Sequence, residues 1–333
     1  MKPIDDITEF LPIYPDIGDS NFNPRIYKKK EFLDNKSTRE EGVIGADYLM
    51  NHQRLIARFL SSRTTYDQLL IVHDMGTGKT CSAIGAVEQI RRENSSFKRA
   101  LYLAKGEMLL RNFKNELLYK CTGGKYITDD FDTLEGTMLA RRINKIVGKF
   151  YTFQTFETFA KSIEKLSNAA IRKQYSHYVI IVDEVHNIRE QNKSEGQLDI
   201  YLQFHRFLHA ITESKIMLMS GTPMKDTREE IVSVMNLILP SNEQLKPDWT
   251  SGTWRETLKK SFKGRVSYLK ASKLKNVTKQ FEGAPSGTTH FNLVEDKMHS
   301  HQSDAYMTAL KLDKQQGGSG TGIYYNARQA SLF

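Results

Sequence analysis

The sequence predicts an α/β protein built on a parallel sheet, with helices covering both faces. Three observations carry this. Short, uniformly apolar runs recur at Leu69–Val72, Ala100–Ala104, Tyr178–Val182 and Ile216–Met219. Segments with helical spacing of apolar residues alternate with them. The runs lack the apolar–polar alternation of a one-sided sheet, so both faces of each strand must be covered.

Taken in order, residues 1–44 are polar, hold Pro3, Pro12, Pro15 and Pro24, and show little periodicity. They read as an accessory arm or a strap over the first domain. From Tyr48 to Leu60 the spacing is helical, with Leu55, Phe59 and Leu60 apolar. Leu69–Val72 is a short buried strand, and Cys81–Arg92 a helix with Ile84, Val87 and Ile90 on one side. The series continues as strand Ala100–Ala104, helix Glu107–Tyr119, strand Phe150–Phe153, helix Phe156–Leu166, strand Tyr178–Val182, helix Tyr201–Thr212, strand Lys215–Met219 and helix Arg228–Leu239. The pattern weakens at Pro240–Asn242. Beyond it lie a turn or loop at Gly283–Gly287, a strand-like Phe291–Val294, a helix at His299–Leu312 and a flexible segment at Gly317–Gly322. This gives an arm at 1–44, a main α/β lobe at 45–240, and a basic, mostly helical extension at 241–333.

The 333 residues suffice for about two domains. A composition of 39% apolar and 26% charged residues is that of an ordinary soluble protein. No apolar run approaches the roughly 20 residues that cross a bilayer, and Met1–Asp6 is not a basic-then-apolar leader. No membrane partner is expected. Cys81 and Cys121 have neither metal-ligand spacing nor a disulfide framework. A reduced thiol is therefore expected at Cys81, which suits an intracellular, reducing compartment. The net charge is +9. Between Arg255 and Lys279, nine basic residues (Arg255, Lys259, Lys260, Lys263, Arg265, Lys270, Lys273, Lys275, Lys279) face a single acid, Glu256. Such a stretch either holds a phosphate backbone or forms a solvated helix face.

The chemistry begins at His73-Asp74-Met75-Gly76-Thr77-Gly78-Lys79-Thr80. Glycines directly after a strand allow a tight turn whose main-chain amides form a concave nest for phosphate oxygens. Met75, Gly76, Thr77, Gly78, Lys79, Thr80 and Cys81 line it. Lys79 brings a positive charge to the β- and γ-phosphates, and Thr80 offers a hydroxyl to Mg²⁺. The following helix points its N-terminus at the anion. One departure is His73, which stands where the general pattern has a glycine.

A second signature is Asp183-Glu184-Val185-His186, at the carboxyl end of an apolar strand. Ligands of open parallel sheets sit at that end of the strands, alongside Lys79. Asp183 suits Mg²⁺, usually through its water shell. Glu184 suits orienting and deprotonating an attacking water. A third is Ser220-Gly221-Thr222-Pro223, at the end of the next strand.

Phosphate loop, Asp-Glu-x-His and Ser-Gly-Thr-Pro, in that order, resemble superfamily 2 helicases and translocases of the DEAH-like and Snf2-related kind, whose first lobe is a RecA-like P-loop NTPase fold. Asn187-Ile188, Met224, Asn236–Pro240 and Gly264–Tyr268 extend the likeness to the ATPases of large cytoplasmic DNA viruses, a group that includes the helicase subunit of the poxvirus early transcription factor and the poxvirus nucleoside-triphosphate phosphohydrolase. The resemblance implies ATP hydrolysis with Mg²⁺ coupled to movement on nucleic acid, with duplex DNA favoured because Snf2-type members track along it. It implies coupling roles for His186, Ser220 and Thr222. It implies that Gln53, 26 residues before Lys79, reads adenine; the alternative is an ordinary helical glutamine. Ala104-Lys105-Gly106 and Phe153–Glu157, with Thr155, are similar to segments that touch a nucleic-acid backbone, and Arg265 and Lys270 of the basic stretch join them. A viral enzyme of this kind would act in transcription with an RNA polymerase or a transcription-factor subunit, in the virion and host cytoplasm.

Such enzymes complete their site with arginines from a second lobe. After Ser220 no strand series ends in a Gln-x-x-Gly-Arg-x-x-Arg pattern, and Arg328 stands outside any such pattern. The resemblance makes 241–333 a basic linker with the incomplete start of the second lobe, and the chain is expected to be weakly active alone, as a fragment or as a chain completed by a partner. Two alternatives remain: a non-motor nucleic-acid or polymerase-binding module with nucleotide as a structural ligand, and the motor subunit of a restriction enzyme.

Overall fold

The computed structural model describes residues 14–35, 49–93, 96–128, 131, 134, 136–188, 198–224, 227–246, 248–270, 284–285, 292–293, 297–315, 327 and 330–331. Tyr48, Lys273, Lys275, Lys279, Gly283, Ser286, Gly287, Phe291, Val294, the segment 317–322 and Arg328 lie outside them. The chain forms two compact units, Met1–Lys275 and Asn276–Phe333.

The first unit is organised by a six-stranded, wholly parallel sheet. Its strands are β1 (Gln68–His73), β2 (Arg99–Ala104), β3 (Tyr151–Thr155), β4 (Tyr178–Val182), β5 (Lys215–Ser220) and β6 (Val266–Leu269), in the spatial order β3-β2-β4-β5-β1-β6. The apolar runs explain the central four. Leu69 and Ile71 of β1, with Val179 and Ile181 of β4, join one core. Leu70 and Val72, with Ile180 and Val182, join the other. The two-residue period of a strand sends alternate side chains to opposite cores, so a run without polar residues is what a doubly covered sheet requires.

The helices are α1 (Phe22–Lys28), α2 (Lys30–Leu33), α3 (Asn51–Phe59), α4 (Lys79–Glu93), α5 (Glu107–Tyr119), α6 (Gly136–Val147), α7 (Phe156–Glu164), α8 (Asn168–Tyr175), α9 (Ile200–Ala210), α10 (Glu229–Asn236) and α11 (Trp254–Phe262). On the first face α4 gives Ala83, Ile84, Val87 and Ile90, and α5 gives Leu110, Phe113 and Leu117. On the second, α7 gives Phe156, Phe159 and Ile163, and α9 gives Phe204, Phe207 and Leu208. Among the described residues, three helices start on Ser, Thr or Asp side-chain caps. Thr155 accepts from Thr158 N, Ser167 from Ala170 N and Asp199 from Leu202 N; each satisfies one orphaned amide of a first turn. The described part of the N-terminal segment packs on the first face through Phe22, Ile26 and Phe32. Tyr66 Oη donates to the Pro15 carbonyl at 2.7 Å.

The sheet reaches past residue 240. β6 lies within the stretch read from sequence as an extension, and pairs with β1 from Leu70↔Val266 to His73↔Leu269. Helices α6, α8 and α11 are not expected from the apolar pattern. In the second unit, β7 (Ala284–Pro285) pairs antiparallel with β8 (Asn292–Leu293), where the sequence predicts a turn or loop at 283–287. Helix α12 (Ser300–Gln315) follows, and its Asp313 accepts from the Ala327 amide at 2.8 Å. No helix among the described residues is long and apolar enough to cross a membrane.

Candidate nucleotide site

Because all strands run the same way, their carboxyl ends share one edge of the sheet. Read across it, they deliver Thr155 (β3), Lys105 (β2), Asp183 and Glu184 (β4), Ser220 and Thr222 (β5), the phosphate loop (β1) and Lys270 (β6). The motifs that are scattered through the sequence thus stand side by side.

The loop turns on Gly76 and Gly78, with φ of +80° and +76°. A Cβ at Gly76 would meet nothing within 4 Å, so glycine is needed there for its backbone conformation and not for space. One at Gly78 would lie 2.4 Å from Gln53 Nε2, so the carboxamide would have to shift, and the positive φ favours glycine there on backbone conformation. Lys79 Nζ donates to the His73 carbonyl at 2.9 Å. A Cβ at Gly221 would come within 3.2 Å of the same Nζ, so the Ser-Gly-Thr-Pro loop closes over the lysine. His52 Nε2 lies 2.9 Å from the Thr77 carbonyl oxygen. His73, in place of the usual glycine, is buried, and its Nε2 meets Ser267 Oγ of β6 at 3.0 Å. Burial, then the neighbouring His52 and Lys79, lowers its pKa to about 4.

Asp183 is buried. Its Oδ2 accepts from Tyr102 Oη at 2.6 Å and its Oδ1 from the Glu184 amide at 2.9 Å. Burial raises its pKa, and these donors, with Lys79 and His186, act in the opposite direction. Glu184 takes the left-handed conformation, φ 50° and ψ 49°, uncommon for a residue with a side chain. His186 Nδ1 is 2.9 Å from Ser220 Oγ and 3.2 Å from Glu184 Oε2. Ser220 Oγ accepts from the Thr222 amide at 3.1 Å. The three residues expected to couple are therefore joined to each other and to Glu184.

A nest of amides, a lysine beside it, a hydroxyl on the first helical turn and a buried carboxylate across from them form a donor set that fits a triphosphate with Mg²⁺. Thr80 and Asp183 are the residues that would hold the ion.

The remaining expected residues fall out differently. Gln53 is buried. Its Nε2 donates to the Gly78 carbonyl at 3.1 Å, and its Oε1 accepts from the Met50 amide at 2.9 Å. The carboxamide is tied to the loop itself. Thr155 uses its hydroxyl to cap α7. Arg265 precedes β6 and so stands at the opposite edge of the sheet from the loop. Its guanidinium pairs with Glu243 Oε2 at 2.9 Å. The structure does not bring it to the site, whereas Lys270, after β6, is at the correct edge.

Cys81 requires a correction. It is joined in a disulfide to Cys121, with Cα atoms 5.1 Å apart. The side chain is turned toward the end of α5 and the thiol is not reduced. The cause is tertiary: α5 docks against α4, and the chain after Tyr119 returns to the first turn of α4. These cysteines therefore give no ground for a reducing compartment.

Reading motifs missed Tyr102, Asn187, His52 and the side chain of His73. Tyr102 carried one signal, since a tyrosine inside a strand buried on both faces needs a partner for its hydroxyl. Asn187, one residue past the motif, belonged to the family likeness but with no role, and His52, on α3, carried no signal.

Among known proteins, the family model described as "Type III restriction enzyme, res subunit" matches residues 48–225. "Putative helicase 009L" of Frog virus 3 is 38% identical over 296 residues, covering 86% of this chain and 30% of that protein. "Putative helicase 087L" of Invertebrate iridescent virus 3 is 35% identical over 340 residues, covering 97% of this chain and 33% of that protein. The chain spans about a third of the length of these relatives. The crystal structure of the Pyrococcus furiosus Hef helicase domain aligns at TM-score 0.42 and 15% identity, covering 80% of this chain and 47% of that one. The motif order read from the sequence and the family match agree: the chain belongs to the ResIII family and is a superfamily 2 helicase-family protein related to the helicases of large DNA viruses.

Proposed function

We propose that this chain is the ATP-binding lobe of a nucleic-acid motor, hydrolysing ATP with Mg²⁺ to move along duplex DNA. The observation that carries the reading is the single sheet edge on which Lys79, Asp183, Glu184 and the His186–Ser220–Thr222 network converge. Loop amides and Lys79 bind and orient the phosphates, which are held in line by position more than by covalent chemistry. Thr80 and Asp183 would hold the metal, which would neutralise charge on the phosphate oxygens. Glu184 sits beside Asp183 and takes the proton from the attacking water. His186 reaches both Glu184 and Ser220, so the position of the Ser-Gly-Thr-Pro loop and that of the base are linked. A merely structural nucleotide would need the loop but not Glu184 with its histidine.

The wider setting is proposed on the same footing. Named helicases of large DNA viruses among the relatives support a viral motor; action in transcription with an RNA polymerase or transcription-factor partner, in virion and host cytoplasm, follows from the motif likeness to the poxvirus ATPases. Assayed apart from a second lobe, this segment turns over slowly.

The test pairs nucleotide binding with phosphate release. Lys79→Ala loses affinity for a fluorescent ATP analogue with Mg²⁺. Glu184→Gln keeps that affinity and loses at least about 100-fold in phosphate release, the scale of a removed general base. If Glu184→Gln hydrolyses like the wild type, Glu184 is not the base. If duplex DNA, single strands and RNA all leave the rate of the full-length protein unchanged, the motor reading falls.

A further inference from the structure

Lys105 follows β2 and Glu184 follows β4, the adjacent strand. One side chain, Asn187, stands between them. Lys105 Nζ donates to Asn187 Oδ1 at 3.1 Å. An ammonium only donates, so the carbonyl end of the amide must face it. Asn187 Nδ2 then spends its two hydrogens inside the Asp-Glu-x-His turn. One goes to the Glu184 main-chain carbonyl at 2.9 Å, the other to His186 Nε2 at 3.2 Å. With Nε2 accepting, the neutral ring carries its proton on Nδ1. That nitrogen faces Glu184 Oε2 and Ser220 Oγ. A hydrogen-bonded line therefore runs from an exposed lysine to His186, whose Nδ1 lies 3.2 Å from the carboxylate of the candidate base.

We propose that Asn187 is a positioning residue, which restrains Glu184 through His186 until a nucleic-acid phosphate takes Lys105 away from it. The proposal rests on the motor reading and deepens it. Lys105 is exposed at the same edge as Lys270, where a backbone phosphate can reach it. An ammonium–phosphate contact joins two charges and is stronger than its bond to a neutral amide. Once Lys105 turns to the phosphate, Asn187 Oδ1 loses its partner and the amide is no longer fixed in orientation. The donor to His186 Nε2 is then loosened, and with it the ring whose Nδ1 bonds Ser220 and lies against the Glu184 carboxylate. The carboxylate becomes able to turn to water. Nucleic acid would thus relieve a restraint, with no need to move the phosphate loop.

The experiment measures phosphate release from Mg²⁺-ATP by the full-length protein, with and without a 20-bp DNA duplex, for the wild type and three variants. Asn187→Ala removes the link. Asn187→Asp keeps an acceptor for Lys105 but has no hydrogen for Glu184 or His186. Lys105→Met changes only an exposed side chain and guards against a folding defect in the other two. Each variant is expected to raise the DNA-free rate about 5-fold or more, the lower range of coupling between sites, and to bring the ratio of rates with and without DNA close to one. Asn187→Ala is also expected to bind the duplex as the wild type does. Asn187 acting only as a structural residue lowers both rates together and leaves their ratio intact, which overturns the proposal. So does a wild-type ratio in Lys105→Met. A wild-type protein that hydrolyses ATP but ignores every nucleic acid defeats the motor reading, and this inference with it. A stimulated wild type whose variants respond equally defeats the inference alone.

Discussion

His73 shows what one side chain does in place of a glycine. It is buried, at 1% exposure, between the phosphate loop and β6, with Nε2 on Ser267 Oγ and its carbonyl holding Lys79. A protonated ring there would sit unsolvated near His52 and Lys79, so its pKa falls from 6.5 to about 4. The unfolded chain binds that proton as pH drops below 6.5, and the folded chain does not until about 4. Between these values the unfolded state carries more protons. Stability is therefore fully present above 6.5 and is lost as pH falls through the window, by about 3 kcal/mol in all. Urea denaturation at pH 7.5 and 4.5 should show this loss in the wild type and a smaller one in His73→Gln, which keeps a hydrogen-bonding end toward Ser267. Equal losses in the two proteins would place the acid sensitivity elsewhere.

Among the elements, α4 carries the loop's Lys79 and Thr80, and the Cys81–Cys121 disulfide ties its first turn to the chain just beyond α5. The bridge closes a loop across a sequence separation of 40 residues, for which removal costs about 2–4 kcal/mol. Cys121→Ser should melt lower than the wild type without reductant, and reductant should lower only the wild type. Two titratable thiols in the unreduced protein would refute the bridge. Nothing in the spacing of two cysteines announces it; it exists because Leu110, Phe113 and Leu117 dock α5 on the face that α4 covers. The central strands were legible for the opposite reason. Burial on both faces writes itself as a local apolar run, and the phosphate loop needs its glycines in place. Helix Glu107–Tyr119 likewise coincides with its expected limits, since its apolar stripe meets a full core. Where burial is slight the signal fades. Only Val147 of α6 is buried, and no residue of α11 is. β6 is four residues long, half-exposed and flanked by Arg265 and Lys270; it belongs to the sheet by pairing, which leaves no periodicity to read. The left-handed Glu184 was likewise invisible, because its conformation follows from the Asp183 and Asn187 bonds that close the turn.

At the scale of the molecule, the net charge of +9 matters by where it is spent. The basic stretch is not one surface. Lys263 Nζ donates to the Asp19 and Gly18 carbonyls, and Arg265 pairs with Glu243. These two cations hold the first unit together. Lys260 on α11 and Lys270 after β6 are exposed. A phosphate backbone releases counterions only to cations that reach it, and the logarithm of the binding constant falls with the logarithm of salt at about 0.9 per neutralised phosphate. The double variant Lys260→Ala/Lys270→Ala should therefore flatten the salt dependence of binding to a 20-bp duplex by up to about 1.8. Lys263→Ala should leave that slope alone and lower the melting temperature, because the bonds it loses are internal. Fluorescence anisotropy between 50 and 200 mM salt reads the slopes, and a melting curve reads the stability. Slopes that coincide for all three proteins would return Lys260 and Lys270 to an ordinary solvated face. The exposed Lys105 would then be left to carry nucleic-acid contact at the strand ends without them.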